Sequence, residues 1–80
     1  MKTFALSIAR LDKEVFSGEA VSVTVPAETG EMTLLADHTA IIAKLKPGRI
    51  TVKGKDDTKE FDAPSGALEF SNNKANIILF

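Results

Sequence analysis

Apolar positions recur at every second residue through most of this chain. From Thr3 to Ala9, Phe4, Leu6 and Ile8 share one face while Thr3, Ala5 and Ser7 share the other, the mark of a half-buried strand. Leu11-Asp12-Lys13-Glu14 reads as a turn, and Val15-Phe16-Ser17 as a short second strand that Gly18 stops. Glu19 to Pro26 alternates again, with Val21, Val23 and Val25 against Ala20, Ser22 and Thr24, and its β-branched residues suit a pleated surface. Thr29-Gly30 marks a hairpin turn and Met32 to Leu35 the returning strand.

The second half continues in the same way. Thr39 to Leu45 fits a helical turn or a strand by periodicity, and its adjacent isoleucines and the Pro47-Gly48 that follows favour the strand. Arg49 to Lys53 pairs across a Gly54-Lys55-Asp56-Asp57 loop with Thr58 to Asp62. Pro64 breaks the ladder, Gly66 sits near a bend, and Ala67 to Phe70 continues with Leu68 and Phe70 on one face. Ser71-Asn72-Asn73-Lys74 is a turn with candidates for the left-handed region. Ala75 to Phe80 closes the chain as an apolar strand. Ile77 to Phe80 are apolar in succession, so both faces want cover, by core on two sides or by a partner protein, and the core reading is preferred. Nine to ten short strands without a convincing helix predict an all-β fold, a small antiparallel β-sandwich or flattened barrel forming one domain over residues 1–80.

Composition narrows the function. The 80 residues include no cysteine, which removes disulfides and thiolate metal sites and points to a reducing compartment. Ten basic and eleven acidic residues give a net charge of -1, no concentrated basic surface for nucleic acid. Trp and Tyr are absent, which argues against stacking platforms for sugars or bases. The apolar runs fall far short of the roughly 20 residues that cross a bilayer, and the first residues do not resemble a signal peptide. These features suggest a compact intracellular chain.

No catalytic set emerges. A Ser-His-Asp arrangement would have to use His38, the single histidine, yet its neighbour Asp37 points away on an extended chain and no serine sits on a nucleophile elbow. One histidine with scattered carboxylates is a poor zinc site. Asp56, Asp57, Glu60 and Asp62 interleave with Lys53, Lys55 and Lys59 and read as a solvated hairpin. The glycines stand apart, with no phosphate-binding loop.

The stretch from Val23 to Val52, VTVPAETGEMTLLADHTAIIAKLKPGRITV, carries a more specific signal. Val25-Pro26, Thr29-Gly30-Glu31, Leu35, His38 and Leu45-Lys46-Pro47-Gly48 resemble the signature of the ε-subunit family of F-type ATP synthases, in its N-terminal β-sandwich domain. Phe16-Ser17-Gly18, Ser65-Gly66-Ala67-Leu68-Glu69 and Asn73-Lys74 before an apolar strand extend the resemblance over nearly the whole chain. It departs at Ala36-Asp37, where the family has Pro-Gly or Pro-Asn, at Thr39-Ala40-Ile41 for Ala-Pro-Leu, and at Ala67 for a second glycine.

The resemblance implies a non-catalytic rotor subunit of the central stalk, a peripheral protein on the cytoplasmic face of the bacterial inner membrane. Its partners would be the γ subunit and the c-ring, with the membrane touched only through the ring and with no nucleic acid, metal or cofactor. Typical members continue into an inhibitory helical hairpin that in some binds ATP; a chain stopping here implies a natural short form or a truncated one, without that arm or an ATP site. The resemblance assigns Glu28, Thr29, Gly30, Glu31 and Met32 to the c-ring, and Arg10, His38, Ile41 and Ile42 to γ. Alternation buries one of the two isoleucines and leaves the other for γ. The competing readings are a sandwich interaction module unrelated to the synthase and a small hydrolase built on Asp37, His38 and a serine.

Overall fold

The computed structural model describes residues 2–80. Nine strands follow one another: β1 (Phe4–Arg10), β2 (Glu14–Ala20), β3 (Ser22–Ala27), β4 (Gly30–Leu35), β5 (Ile41–Leu45), β6 (Gly48–Lys53), β7 (Thr58–Ala63), β8 (Gly66–Ser71) and β9 (Lys74–Leu79). The all-β expectation and its strand number hold. The segment after His38 is a strand, because Ile41 to Leu45 pairs in register with Gly66 to Phe70.

Hydrogen bonding runs in the order β2-β1-β9-β8-β5-β3-β6-β7, with β4 on β3. The step from β5 to β3 is one bridge, Ala27 to Leu45. There the sheet folds over, so that β2-β1-β9-β8-β5 forms one wall and β4-β3-β6-β7 the other. Alternate residues of both walls meet inside: Phe4, Leu6, Ile8, Leu68, Phe70, Ala75, Ile77 and Leu79 from the first, Val23, Val25, Leu34, Ile50 and Val52 from the second, all buried. Phe4 and Phe70 pack edge to face at 5.4 Å between ring centroids, a geometry that adds to their area burial.

Four details depart from sequence expectation. β1 and β9 pair in parallel, whereas a wholly antiparallel arrangement was expected. These strands are joined through the whole fold, so no local turn sets their direction. Gly18 does not end β2: it pairs with Leu6, and the chain bends at Val21 instead. Between Ile8 and Ala9 the register slips, leaving Val15 as the extra residue of a β-bulge. The loop joining β3 and β4 is Glu28-Thr29, since Ala27 pairs with Gly30. Gly30 has φ 137°, a backbone conformation that a side chain would disfavour.

The β8–β9 turn follows expectation, with Asn72 and Asn73 at φ 50° and 58° in a two-residue loop closed by Ser71 and Lys74. Gly66 is there for lack of room: a Cβ on it would lie 2.3 Å from the carbonyl oxygen of Ile78. The last strand is central, between β1 and β8. Among the described residues only one of its faces is fully covered, because Ala75, Ile77 and Leu79 turn inward while Ile78 stays 43% exposed. The preferred core reading for both faces is therefore corrected.

Candidate interaction surface

The outer face of the first wall is built from alternate residues that the core does not take. In register across it run Ser7, Asn76, Glu69 and Ile42, and beside them Ala9, Ile78, Ala67 and Lys44. Ile42 and Ile78 are the two large apolar side chains of these rows, set among Ala9, Ala67 and the polar Ser7, Asn76, Glu69 and Lys44. Ile42 is 79% exposed, and together with Ile78, Ala67 and Glu69 it lines a shallow hollow. Ile41 points the other way and packs against the core. The alternation that left one isoleucine outside is thus resolved in favour of Ile42, because Ile41 pairs with buried Phe70 and Ile42 with exposed Glu69.

The Glu28-Thr29 hairpin lies beside this face. The Glu28 N–H donates to the Lys44 carbonyl at 2.8 Å, and the Lys46 N–H to the Pro26 carbonyl at 2.9 Å. Those two bonds flank the Ala27–Leu45 bridge and fix the hairpin against β5. A second hollow is lined by Glu28, Thr29, Met32, Ile41, Ile42 and Lys44. Residues expected on two separate surfaces therefore share one edge of the molecule. Glu31 is exposed on β4, opposite Pro26. Glu28 reaches Lys44 at 3.9 Å with both side chains mostly in solvent, a pairing too weak to hold either away from a partner.

His38 sits at one end of the same wall. Its exposed ring meets the edge of Phe70 at 5.8 Å, with the planes 76° apart. Phe70 is the partner of Ile41, so His38 and the isoleucine pair belong to one neighbourhood. Arg10 does not join them. It pairs with Leu79, whose row ends at Leu45, three strands away from Ile42 and three residues further along. At the usual strand spacing and rise this is roughly 17 Å. The family pattern had grouped Arg10 with His38 and Ile42 without knowing that β1 would lie on the far side of β9.

Sequence reasoning missed Ile78 as a surface residue, although the apolar run at 77–80 had left a partner protein open as an alternative. It also read Asn73 only as a turn residue and as part of the family resemblance, with no role for its side chain. Among the described residues every charged side chain is exposed, and the one buried polar residue is Ser22. The arrangement offers a surface for binding: two exposed isoleucines on the outer face, an acidic hairpin beside them and an exposed histidine against Phe70.

Three comparisons bear on what such a surface serves. Residues 3–79 match the family described as ATP synthase, Delta/Epsilon chain, beta-sandwich domain. The chain is 41% identical over 76 residues to the ATP synthase epsilon chain of Protochlamydia amoebophila, covering 94% of this chain and 52% of that protein. The chain spans about half the length of the curated relatives it matches. In fold it is similar to a chain of the Euglena gracilis mitochondrial ATP synthase assembly of OSCP, F1 and c-ring, with TM-score 0.91, 20% identity, and coverage of 96% of this chain and 50% of that one. A chain in the central stalk and c-ring assembly of Tetrahymena thermophila mitochondrial ATP synthase gives TM-score 0.83 at 14% identity, covering 99% of this chain and 64% of that one.

Proposed function

The chain belongs to the ATP synthase delta/epsilon-chain β-sandwich family, and from that premise we propose that it is a non-catalytic rotor element of the central stalk, docking the γ subunit onto the c-ring. Residues 1–80 act as one unit in this reading, held peripherally at the cytoplasmic face of a bacterial inner membrane through the ring. The observation that carries it is the exposed Ile42–Ile78 face running into the Glu28-Thr29 hairpin. An apolar patch with a polar rim is what a protein partner covers.

The two partners divide that edge between them. The γ subunit covers Ile42 and Ile78 with His38 at the border, while the hairpin from Glu28 to Met32 reaches the polar loops of the ring. Glu28 and Glu31 supply carboxylates there for basic or amide groups. Torque passes from ring to γ through the sandwich, and a close-packed interior transmits strain with little give. The backbone bonds between Glu28 and Lys44 and between Lys46 and Pro26 tie the ring-facing hairpin directly to the γ-facing strand. Arg10, far from Ile42, belongs to the periphery of this contact.

The test is assembly with purified γ and c-ring, comparing the wild type with Glu31→Lys. We expect the charge reversal to weaken docking on the ring while binding of γ and the melting temperature stay unchanged. Equal assembly of the two proteins at physiological salt would remove the hairpin from the ring contact.

A further inference from the structure

We propose that Asn73 is the positioning residue of the His38 loop, holding it so that the exposed imidazole offers Nε2 as a hydrogen-bond acceptor to a donor on a protein partner. The inference rests on the reading of His38 as partner-facing and goes beyond it by saying what sets the ring and which chemistry it presents.

Residues Ala36 to Ala40 form no ladder with any strand, so side chains have to hold this loop. Asn73 does so from the β8–β9 turn. Its Oδ1 accepts the Asp37 N–H at 2.7 Å, and its Nδ2 donates to the Thr3 carbonyl at 3.0 Å. Its own carbonyl accepts the Ala5 N–H at 3.3 Å. One half-buried amide therefore joins the loop, the start of β1 and the β8–β9 turn. Both ends of the amide are used, one as acceptor and one as donor, which an aspartate or a glycine cannot reproduce. Asn73 sits in the left-handed region, at φ 58°, and from there its side chain reaches Asp37.

Asp37 is itself left-handed, at φ 64°. Asp tolerates that region better than most residues, and the bond to Asn73 fixes it there. The chain then delivers His38, whose N–H donates to the Leu35 carbonyl at 3.3 Å. Lys2 reaches Asp37 at 3.0 Å, but both side chains are largely in solvent and the pair adds little.

The ring is oriented from two directions. Its Nδ1 lies 2.6 Å from the Thr39 carbonyl oxygen. A carbonyl only accepts, so Nδ1 carries the hydrogen and the neutral ring keeps its lone pair on Nε2. The edge contact with Phe70 sets the tilt. Sidedness is the consequence for the neutral ring: in that form this end of the surface suits a partner amide, hydroxyl or guanidinium and disfavours a carboxylate.

The experiment is nitrogen NMR of the labelled protein, reading the His38 ring tautomer and the exchange rates of the Asp37 and Ala5 amides in wild type, Asn73→Gly and Asn73→Asp. Wild type should show the Nδ1–H tautomer. Asn73→Gly keeps the turn but loses the amide, so Asp37 exchange should rise about tenfold, the weight of one hydrogen bond, and the ring should move toward the tautomer mixture of free imidazole. Ala5, bonded to the backbone carbonyl, should stay protected. Asn73→Asp keeps the acceptor and should restore protection of Asp37. An unchanged tautomer and Asp37 rate in Asn73→Gly, or a wild-type ring with hydrogen on Nε2, overturns the inference and leaves the stalk reading standing. Normal NMR readouts with γ binding indifferent to His38→Ala would overturn the partner-facing role instead.

Discussion

The two walls of this sandwich meet at two seams, and the seams are made differently. Where β5 passes to β3, the backbone itself closes the gap, through the Ala27–Leu45 bridge and the bonds from Glu28 to Lys44 and from Lys46 to Pro26. Where β2 faces β7, the described residues show no ladder at all. Phe16 and Phe61 meet there edge to face at 5.9 Å, and the Lys59 Nζ lies 5.6 Å from the Phe16 ring centroid. Beyond them the seam opens into a hollow lined by Thr3, Glu19 and the Gly54–Asp57 loop. The apolar surface and the acidic hairpin both lie at the backbone-closed seam. Hydrogen-bonded seams resist local opening, whereas a seam held by half-buried side chains can part without unfolding the rest. In the rotor reading proposed above, the contact that must not slip would sit on the first kind.

The largest expected effect comes from attacking the wall that supports the closed seam. Gly66 pairs with Leu45 on one side and Leu79 on the other. In Gly66→Val the new side chain would meet the Ile78 carbonyl, and we expect a loss of about 3 kcal/mol, at the upper end of overpacking costs, measured by urea unfolding. Phe61→Ala attacks the other seam. The ring is half-buried, so about 2 kcal/mol should be lost, roughly half of what a buried phenylalanine costs. Hydrogen exchange should speed up along β2 and β7 but not at Glu28 or Lys46. Faster exchange at both seams would break the contrast between them.

Two milder changes sharpen it. Lys59→Ala removes the cation over Phe16 at an exposed site, and about 0.5 kcal/mol is expected by thermal melting. Ile42→Arg should be the mildest for stability, within about 0.5 kcal/mol of wild type, since it changes an exposed side chain that supports nothing beneath it.

Local physics made much of the fold legible in advance. The alternation of Phe4, Leu6 and Ile8, the paired asparagines at 72 and 73 and the break at Pro47 each acted where the residues themselves decide the conformation, although Gly48 already belongs to β6. The parallel pairing of β1 with β9 was not legible, because it depends on how the whole chain between them folds. Gly18 looked like a stop but lies inside an edge strand, where pairing with Leu6 alone keeps it extended. Ile78 looked like core because nothing in a run of four apolar residues says which face the chain will cover. The candidate surface was recognised by motif, and its geometry came only with the register. That register set Ile42 outside, brought the hairpin beside it and moved Arg10 away. Asn73 carried the signal of a turn, while the reach of its side chain to Asp37 and Thr3 is a tertiary fact.

The most direct test of the rotor reading is the affinity of the γ subunit for wild type, Ile42→Arg and Lys59→Glu, measured side by side by titration. A stalk element using the backbone-closed seam should bind γ, lose affinity about tenfold or more in Ile42→Arg, as a buried charge against an apolar contact requires, and be unaffected by Lys59→Glu. No binding by wild type, or equal losses in both variants, would contradict it.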